Sequence, residues 1–150
     1  MNLELKIPPL LLMIIFAVLM YFVDTLFPSA GVAGHYLMTL VLAITGVIFI
    51  FAGVLHFLQA KTTVNPTAPE ESSSLVTHGI YSITRNPMYV GFAILLMGWS
   101  VLLSNVYSLL LVFGFICYLN RYQIKAEEQA LENLFGEKYL TYKKRVSRWL

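Results

Sequence analysis

A single cysteine, Cys117, stands in 150 residues, which excludes a disulfide framework; because it lies inside an apolar run, it leaves the redox compartment undetermined. Charge is scarce as well. Asp, Glu, Lys and Arg make up 12% of the chain, where a soluble domain carries about a quarter. The three histidines, His35, His56 and His78, are scattered without the spacing of a zinc site, and there is no phosphate-binding glycine loop. What remains is 58% apolar, with a mean hydropathy of +0.72. That composition predicts one integral membrane domain over residues 1–150.

The apolar residues fall into four runs, at about 9–27, 36–59, 88–104 and 106–118. A helix needs about 20 residues to cross the hydrocarbon layer, so the last two are short. They are joined at Ser104-Asn105 and predict a tight antiparallel hairpin. The first run exceeds a signal-peptide core in length, and Glu4 offsets Lys6 before it, which predicts a retained helix. With four spans, all ten Lys and Arg residues share one side with the loop 60–87 and the tail 119–150. These ten are Lys6, Lys61, Arg85, Arg121, Lys125, Lys138, Lys143, Lys144, Arg145 and Arg148. The positive-inside rule makes that side cytoplasmic, with both ends of the chain on it, in the inner or plasma membrane if the source is bacterial. The expected architecture is all-α, four transmembrane helices with a cytoplasmic loop and amphipathic helices in the tail. Gly46 and Gly53 suit close helix packing. The basic stretch KKRVSRW suits anionic lipid better than nucleic acid.

Two short stretches carry chemistry. In SITRNPMYVG, residues 82–91, Asn86 is a favoured cap and Pro87 fits a first helical turn, while Arg85 has the stem to snorkel. In the tail, residues 120–136 read as one helix at about 100° per residue gather Ile124, Leu131, Leu134 and Phe135 on one face. Glu127 and Glu128 sit at the edges of that face, where carboxylates are costly without partners. Two readings stay open: an Arg121–Glu128 salt bridge at the membrane surface, or a site in which acid, amide and tyrosyl groups hold a polar ligand. Tyr107, Tyr139 and Tyr142 read as residues of an interfacial belt. His56 reads as an interface residue, and no general base stands out, which leans towards an anionic acceptor.

LVTHGIYSITRNPMYVG (75–91) followed by EEQALENLFGEKYLTYKKRV (127–146) resembles the isoprenylcysteine carboxyl methyltransferase and phospholipid methyltransferase family. The resemblance covers about half the chain. It implies S-adenosylmethionine as cofactor, in a cytoplasmic pocket roofed by the loop and tail, and a lipophilic methyl acceptor entering from the bilayer. The cofactor-binding residues it implies are Leu75, Val76, Gly79, Tyr81, Asn86, Pro87, Tyr89, Glu127 and Glu128. Arg85, Asn86 and Tyr89 take the catalytic positions, and Arg121 and Gln123 the substrate positions; no metal is implied. Asn86 stands where the family pattern has histidine, and Gln123 where the prenylcysteine enzymes carry an arginine. The expected activity is most like isoprenylcysteine carboxyl O-methylation. Phospholipid N-methylation, small-thiol S-methylation and a non-catalytic four-helix scaffold are its rivals.

Overall fold

The computed structural model describes residues 4–28, 35–60 and 67–150. Every regular element among them is helical. Helices α1 (Pro9–Leu26), α2 (His35–Gln59), α3 (Pro87–Leu103) and α4 (Val106–Tyr118) occupy the four apolar runs. Pro9 and Pro87 each stand at the start of a helix, where the missing N–H costs nothing. Two of the four, α1 and α2, are long and apolar enough to cross a membrane; α3 and α4 have 17 and 13 residues.

Both long helices turn large apolar side chains outward, among them Leu10, Ile14 and Phe22 on α1 and Leu37, Ile48 and Phe51 on α2. Such a continuous apolar exterior is a surface solvated by lipid rather than water, which gives the chain a membrane location. The basic residues collect at one end of the bundle. Lys61 lies outside the described residues. The other nine Lys and Arg belong to segments before α1, just before α3, or after α4. Leu5 N–H donates to the Tyr122 carbonyl (3.1 Å), tying the stretch before α1 to the segment after α4 at that end.

Helices α2 and α3 pack backbone to backbone. A Cβ on Gly91 would stand 2.6 Å from the Gly46 carbonyl oxygen, and one on Gly46 would stand 2.9 Å from that of Gly91. On its other side α3 meets α1, where Trp99 Nε1 donates to the Ala17 carbonyl (3.1 Å). Leu12, Met20, Phe92, Leu96, Phe115 and Leu119 close the core between α1, α3 and α4.

At the far end Ser104 takes a left-handed conformation (φ 52°) and Asn105 caps α4, its Oδ1 accepting from Tyr107 and Ser108 N–H. Asn105 Nδ2 donates to Asp24 Oδ1 (3.0 Å) and to the Phe27 carbonyl (2.8 Å), fastening α1 to the hairpin. Asn105→Ala removes the cap and both donors and should cost about 2–3 kcal/mol. Thermal unfolding in detergent reads the loss. Asn105→Asp, which keeps the cap acceptors but faces Asp24 with a second charge, should recover only part of it.

The tail departs from the expected single helix. Residues Leu119–Ile124 wind as a π-helix before α5 (Lys125–Phe135), and Gly136 (φ 53°) turns the chain into α6 (Glu137–Arg145). A π turn advances each residue by less than the α-helical angle, so a phase counted at about 100° per residue from Asn120 has drifted by Glu128. Arg121 therefore does not share a face with Glu128. It lies largely exposed, 3.9 Å from Glu4 and over the Tyr122 ring. The expected Arg121–Glu128 bridge is absent.

Candidate functional site

The loop before α3 is shaped by Gly79. Its φ of 61° favours glycine, and a Cβ there would lie 1.8 Å from His56 Nε2. His56 thus backs the loop, its Nδ1 hydrogen-bonded to the Ala52 carbonyl (2.7 Å). The 3₁₀ turn Gly79–Ser82 that follows drives the Tyr81 ring inward against Phe57 (centroids 5.1 Å apart). Asn86 precedes Pro87 without capping α3. Its side chain instead donates from Nδ2 to the Arg148 carbonyl (2.8 Å), while Thr84 Oγ1 accepts from Asn86 N–H (3.2 Å). The side-chain cap expected of Asn86 is absent, and the bond to the Arg148 carbonyl fixes the orientation of its amide instead. Arg85 does not snorkel either: its side chain is 9% exposed and Nη2 meets Glu128 Oε1 at 3.1 Å.

From the other side the π turn and α5 present Gln123, Glu127 and Glu128. Glu127 Oε1 accepts from both Tyr89 Oη and Gln123 Nε2, the latter at 2.6 Å. Glu128 is held by three cations. Arg148 donates from Nε to Oε1 (3.0 Å) and from Nη2 to Oε2 (2.8 Å), Arg85 adds its contact, and Lys143 Nζ lies 3.6 Å from Oε2. Lys143 also pairs with Glu132.

These groups surround one pocket. Leu75, Val76, Tyr81, Arg85, Asn86, Pro87, Tyr89, Glu127 and Glu128 all line it, so the structure brings together nine of the residues singled out from the sequence. It leaves three outside. Gly79 shapes the loop, Gln123 supports Glu127 from behind, and Arg121 points away. The sequence reading missed Phe57, Pro69, Tyr139 and Tyr142 in the wall. Tyr107 is exposed, as a belt residue needs, whereas the belt reading fails for Tyr139 and Tyr142, which are 2% and 4% exposed. With Val146 they form a buried cluster, and the spacing 139, 142, 146 was a legible helical stripe. Arg148 and Lys143, read as lipid-facing charge, bind Glu128 instead.

The two adjacent carboxylates differ sharply. Burial raises the Glu127 carboxyl to about 7, with hydrogen bonds from Tyr89 and Gln123 pulling it back and Glu128 pushing it further up. Glu127 opens onto the pocket while protein surrounds it on its remaining sides, so the carboxyl is poorly solvated despite its partial exposure. Burial acts to raise Glu128 too. There the hydrogen bonds from Arg148 and the charges of Arg85, Arg148 and Lys143 prevail, holding it below the usual carboxylate range. The site therefore contains a group poised near neutrality, which the sequence had not disclosed. Burial likewise pushes the Tyr81 hydroxyl far up, with Tyr142 and Glu127 adding to it. Tyr81 Oη, Arg85 Nε and Arg85 Nη1 are all buried and lack a hydrogen-bond partner.

The phospholipid methyltransferase family profile matches residues 34–138. Protein-S-isoprenylcysteine O-methyltransferase A of Arabidopsis thaliana is 32% identical over 108 residues, 72% of this chain and 55% of that protein. The Saccharomyces cerevisiae protein-S-isoprenylcysteine O-methyltransferase is 29% identical over 139 residues, 87% of this chain and 58% of its own. An uncharacterized protein of Haemophilus influenzae is 41% identical over 63 residues, its whole length and 42% of this chain. The chain thus spans little more than half the length of the two named methyltransferases. With 105 of its 150 residues inside the matched region, pocket walls 69–89 and 127–131 included, this chain belongs to the phospholipid methyltransferase family.

Proposed function

We propose that the chain is a membrane methyltransferase that holds S-adenosylmethionine in this pocket and methylates a lipophilic acceptor, most like the carboxyl group of an isoprenylcysteine. One observation carries the reading: three unpaired buried donors, on Tyr81 and Arg85, share a pocket with the carboxylate of Glu127. Buried polar groups without partners are costly, and a polar ligand pairs them. A non-catalytic scaffold has no use for such an arrangement.

The residues present fit the cofactor. Glu127, an acceptor when ionised, suits its amino or ribose hydroxyl donors. Arg85 Nε and Nη1, on different edges of the guanidinium, offer two separate charged donors to the cofactor's carboxylate and hydroxyl oxygens. Leu75, Val76 and Pro69 give an apolar bed for the adenine, and the tyrosine faces suit a sulfonium. Bound there, the cofactor supplies an electrophilic methyl group. The chain's own work is alignment and exclusion of water, by Tyr81, Tyr89 and Leu131 around the pocket, which can contribute several kcal/mol. Glu128, with both oxygens occupied, serves to hold Arg85 rather than to touch ligand. Helices α3 and α4 complete a four-helix membrane layer with α1 and α2, the pocket faces the cytoplasm by the distribution of basic residues, and the acceptor arrives sideways from the bilayer.

Phospholipid N-methylation is the second reading, in which Glu127, with its carboxyl raised to about 7 by burial, takes the proton an amine must lose instead of holding the cofactor's donors. The test is calorimetric titration of S-adenosylhomocysteine into protein in detergent, followed by methyl transfer from labelled S-adenosylmethionine. The two acceptors to compare are N-acetyl-S-farnesylcysteine and phosphatidylethanolamine. Binding with transfer to farnesylcysteine supports the first reading, and transfer to the amine lipid supports the second. Absence of binding by folded protein rejects both.

A further inference from the structure

Val146 leaves α6 in an extended conformation (φ −119°, ψ 134°), and the next residues run beside the segment before α3 as a short parallel bridge between Thr84 and Ser147. Arg85 N–H donates to the Ser147 carbonyl (3.0 Å). The Arg148 carbonyl accepts from Asn86 Nδ2 (2.8 Å) and from Thr84 Oγ1 (3.2 Å). The Arg148 guanidinium reaches the other way, to both oxygens of Glu128, and Nη1 adds a bond to Asn120 Oδ1 (3.3 Å). Trp149 Nε1 donates to the same Asn120 oxygen (3.1 Å). One residue therefore spans three parts of the chain: the loop, the π turn and α5. Arg148 is absent from the pocket lining, yet Asn86, Glu128 and, through Glu128, Arg85 all belong to it. The stretch that resembles the methyltransferase family stops at 146, so that resemblance gives Arg148 no role.

We infer that Arg148 is a positioning residue for the pocket: its carbonyl fixes Asn86, its guanidinium fixes Glu128 and thereby Arg85, and residues 147–149 act as the clasp of the cofactor wall. The inference rests on the proposed cofactor pocket. A bidentate arginine sets the angle of the carboxylate it grips, which an ammonium cannot do. With Glu128 so oriented, Arg85 is committed through Nη2 alone, and its Nε and Nη1 stay free for ligand.

The test is calorimetric titration of S-adenosylhomocysteine into wild type, Arg148→Ala, Arg148→Lys, Glu128→Gln and the Glu128→Gln/Arg148→Ala double variant, each checked by thermal unfolding. Exposed Lys144→Ala serves as the control. Arg148→Ala should weaken binding about tenfold or more, Arg148→Lys about threefold, and Lys144→Ala not at all. The double variant should bind no worse than the poorer single one, because both act on one contact; unconnected structural damage would multiply. Binding by Arg148→Ala within about twofold of wild type, or multiplied effects in the double variant, overturns the inference. If Arg148→Ala does not fold, Arg148→Lys carries the test, and wild-type affinity in it overturns the inference equally. Glu127→Gln separates the two levels. Loss of binding in that variant with none in Arg148→Ala removes the clasp alone. Failure of wild type to bind, or full affinity in Glu127→Gln, removes the pocket reading and the clasp with it.

Discussion

Glu127→Gln should bind S-adenosylhomocysteine about 100-fold more weakly than wild type at pH 8, and should melt at a higher temperature there. The amide keeps the shape and can still accept from Tyr89 and Gln123, so what disappears is the charge offered to the ligand. The opposite sign for stability follows from proton linkage. Burial raises the folded carboxyl to about 7 from its ordinary 4.5, so the fold favours the protonated form. This group imposes no penalty below about pH 4.5. As pH rises from there through 7 it takes away stability, up to roughly 3 kcal/mol, and the glutamine variant is spared that loss. Binding runs the other way. Below pH 7 the ligand must displace a proton from Glu127, and wild-type affinity should fall about tenfold per pH unit between about 7 and 5. The variant shares any titration of the ligand itself, so the difference between the two pH curves belongs to Glu127. Parallel curves would remove Glu127 from the cofactor site.

Gly91→Ala should lower stability by about 2 kcal/mol, and Gly91→Leu should leave no folded α2–α3 pair. The added carbon would lie 2.6 Å from the Gly46 carbonyl oxygen and 2.6 Å from Ile50 Cγ1, and backbone cannot swing aside as a side chain does. The two helices must separate, and the effect reaches the pocket because Gly53 holds Pro87 and Met88 one contact further along. Gly114→Ala on α4 is the contrast. Its Cβ would meet Phe16 at an ordinary 3.4 Å, and alanine improves helix propensity, so its melting temperature should match or exceed wild type. Thermal unfolding and gel filtration in detergent distinguish the two. A Gly91→Ala protein as stable as Gly114→Ala would mean that α2 and α3 are not in backbone contact.

The difference between what was legible in the sequence and what was not follows the range of the interactions. The apolar runs and Pro9 and Pro87 are local signals, and the helices start and stop within a residue or two of where those signals put them. Nine pocket residues were legible because two short motifs carry them. Arg148 was not, because its partners stand 20, 28 and 62 positions away and no periodicity relates them. The π turn was illegible for another reason. Nothing in LNRYQI departs from ordinary helical composition, and the burial of Leu119, Gln123 and Ile124 on that turn is a tertiary feature that local pattern does not display. That one turn misplaced Arg121 and left the cations of Glu128 unassigned. Glu127 does line the pocket, but its titration near neutral depends on how completely Tyr89, Gln123 and the pocket walls keep water from it, and a sequence does not display solvation.

The clasp also imposes a schedule on biosynthesis. Asn86 leaves the ribosome 62 residues before Arg148, the residue whose carbonyl it binds. The α3–α4 hairpin is complete at Tyr118, 30 residues before Arg148, so at about 5–20 residues per second roughly 1.5–6 s remain, far longer than a helical hairpin needs to form. The α3–α4 hairpin is therefore in place while Arg85 and Glu128 still lack their third partner. On the clasp inferred above, a nascent chain in that interval has the floor of the pocket but not its fastening, and full affinity comes late.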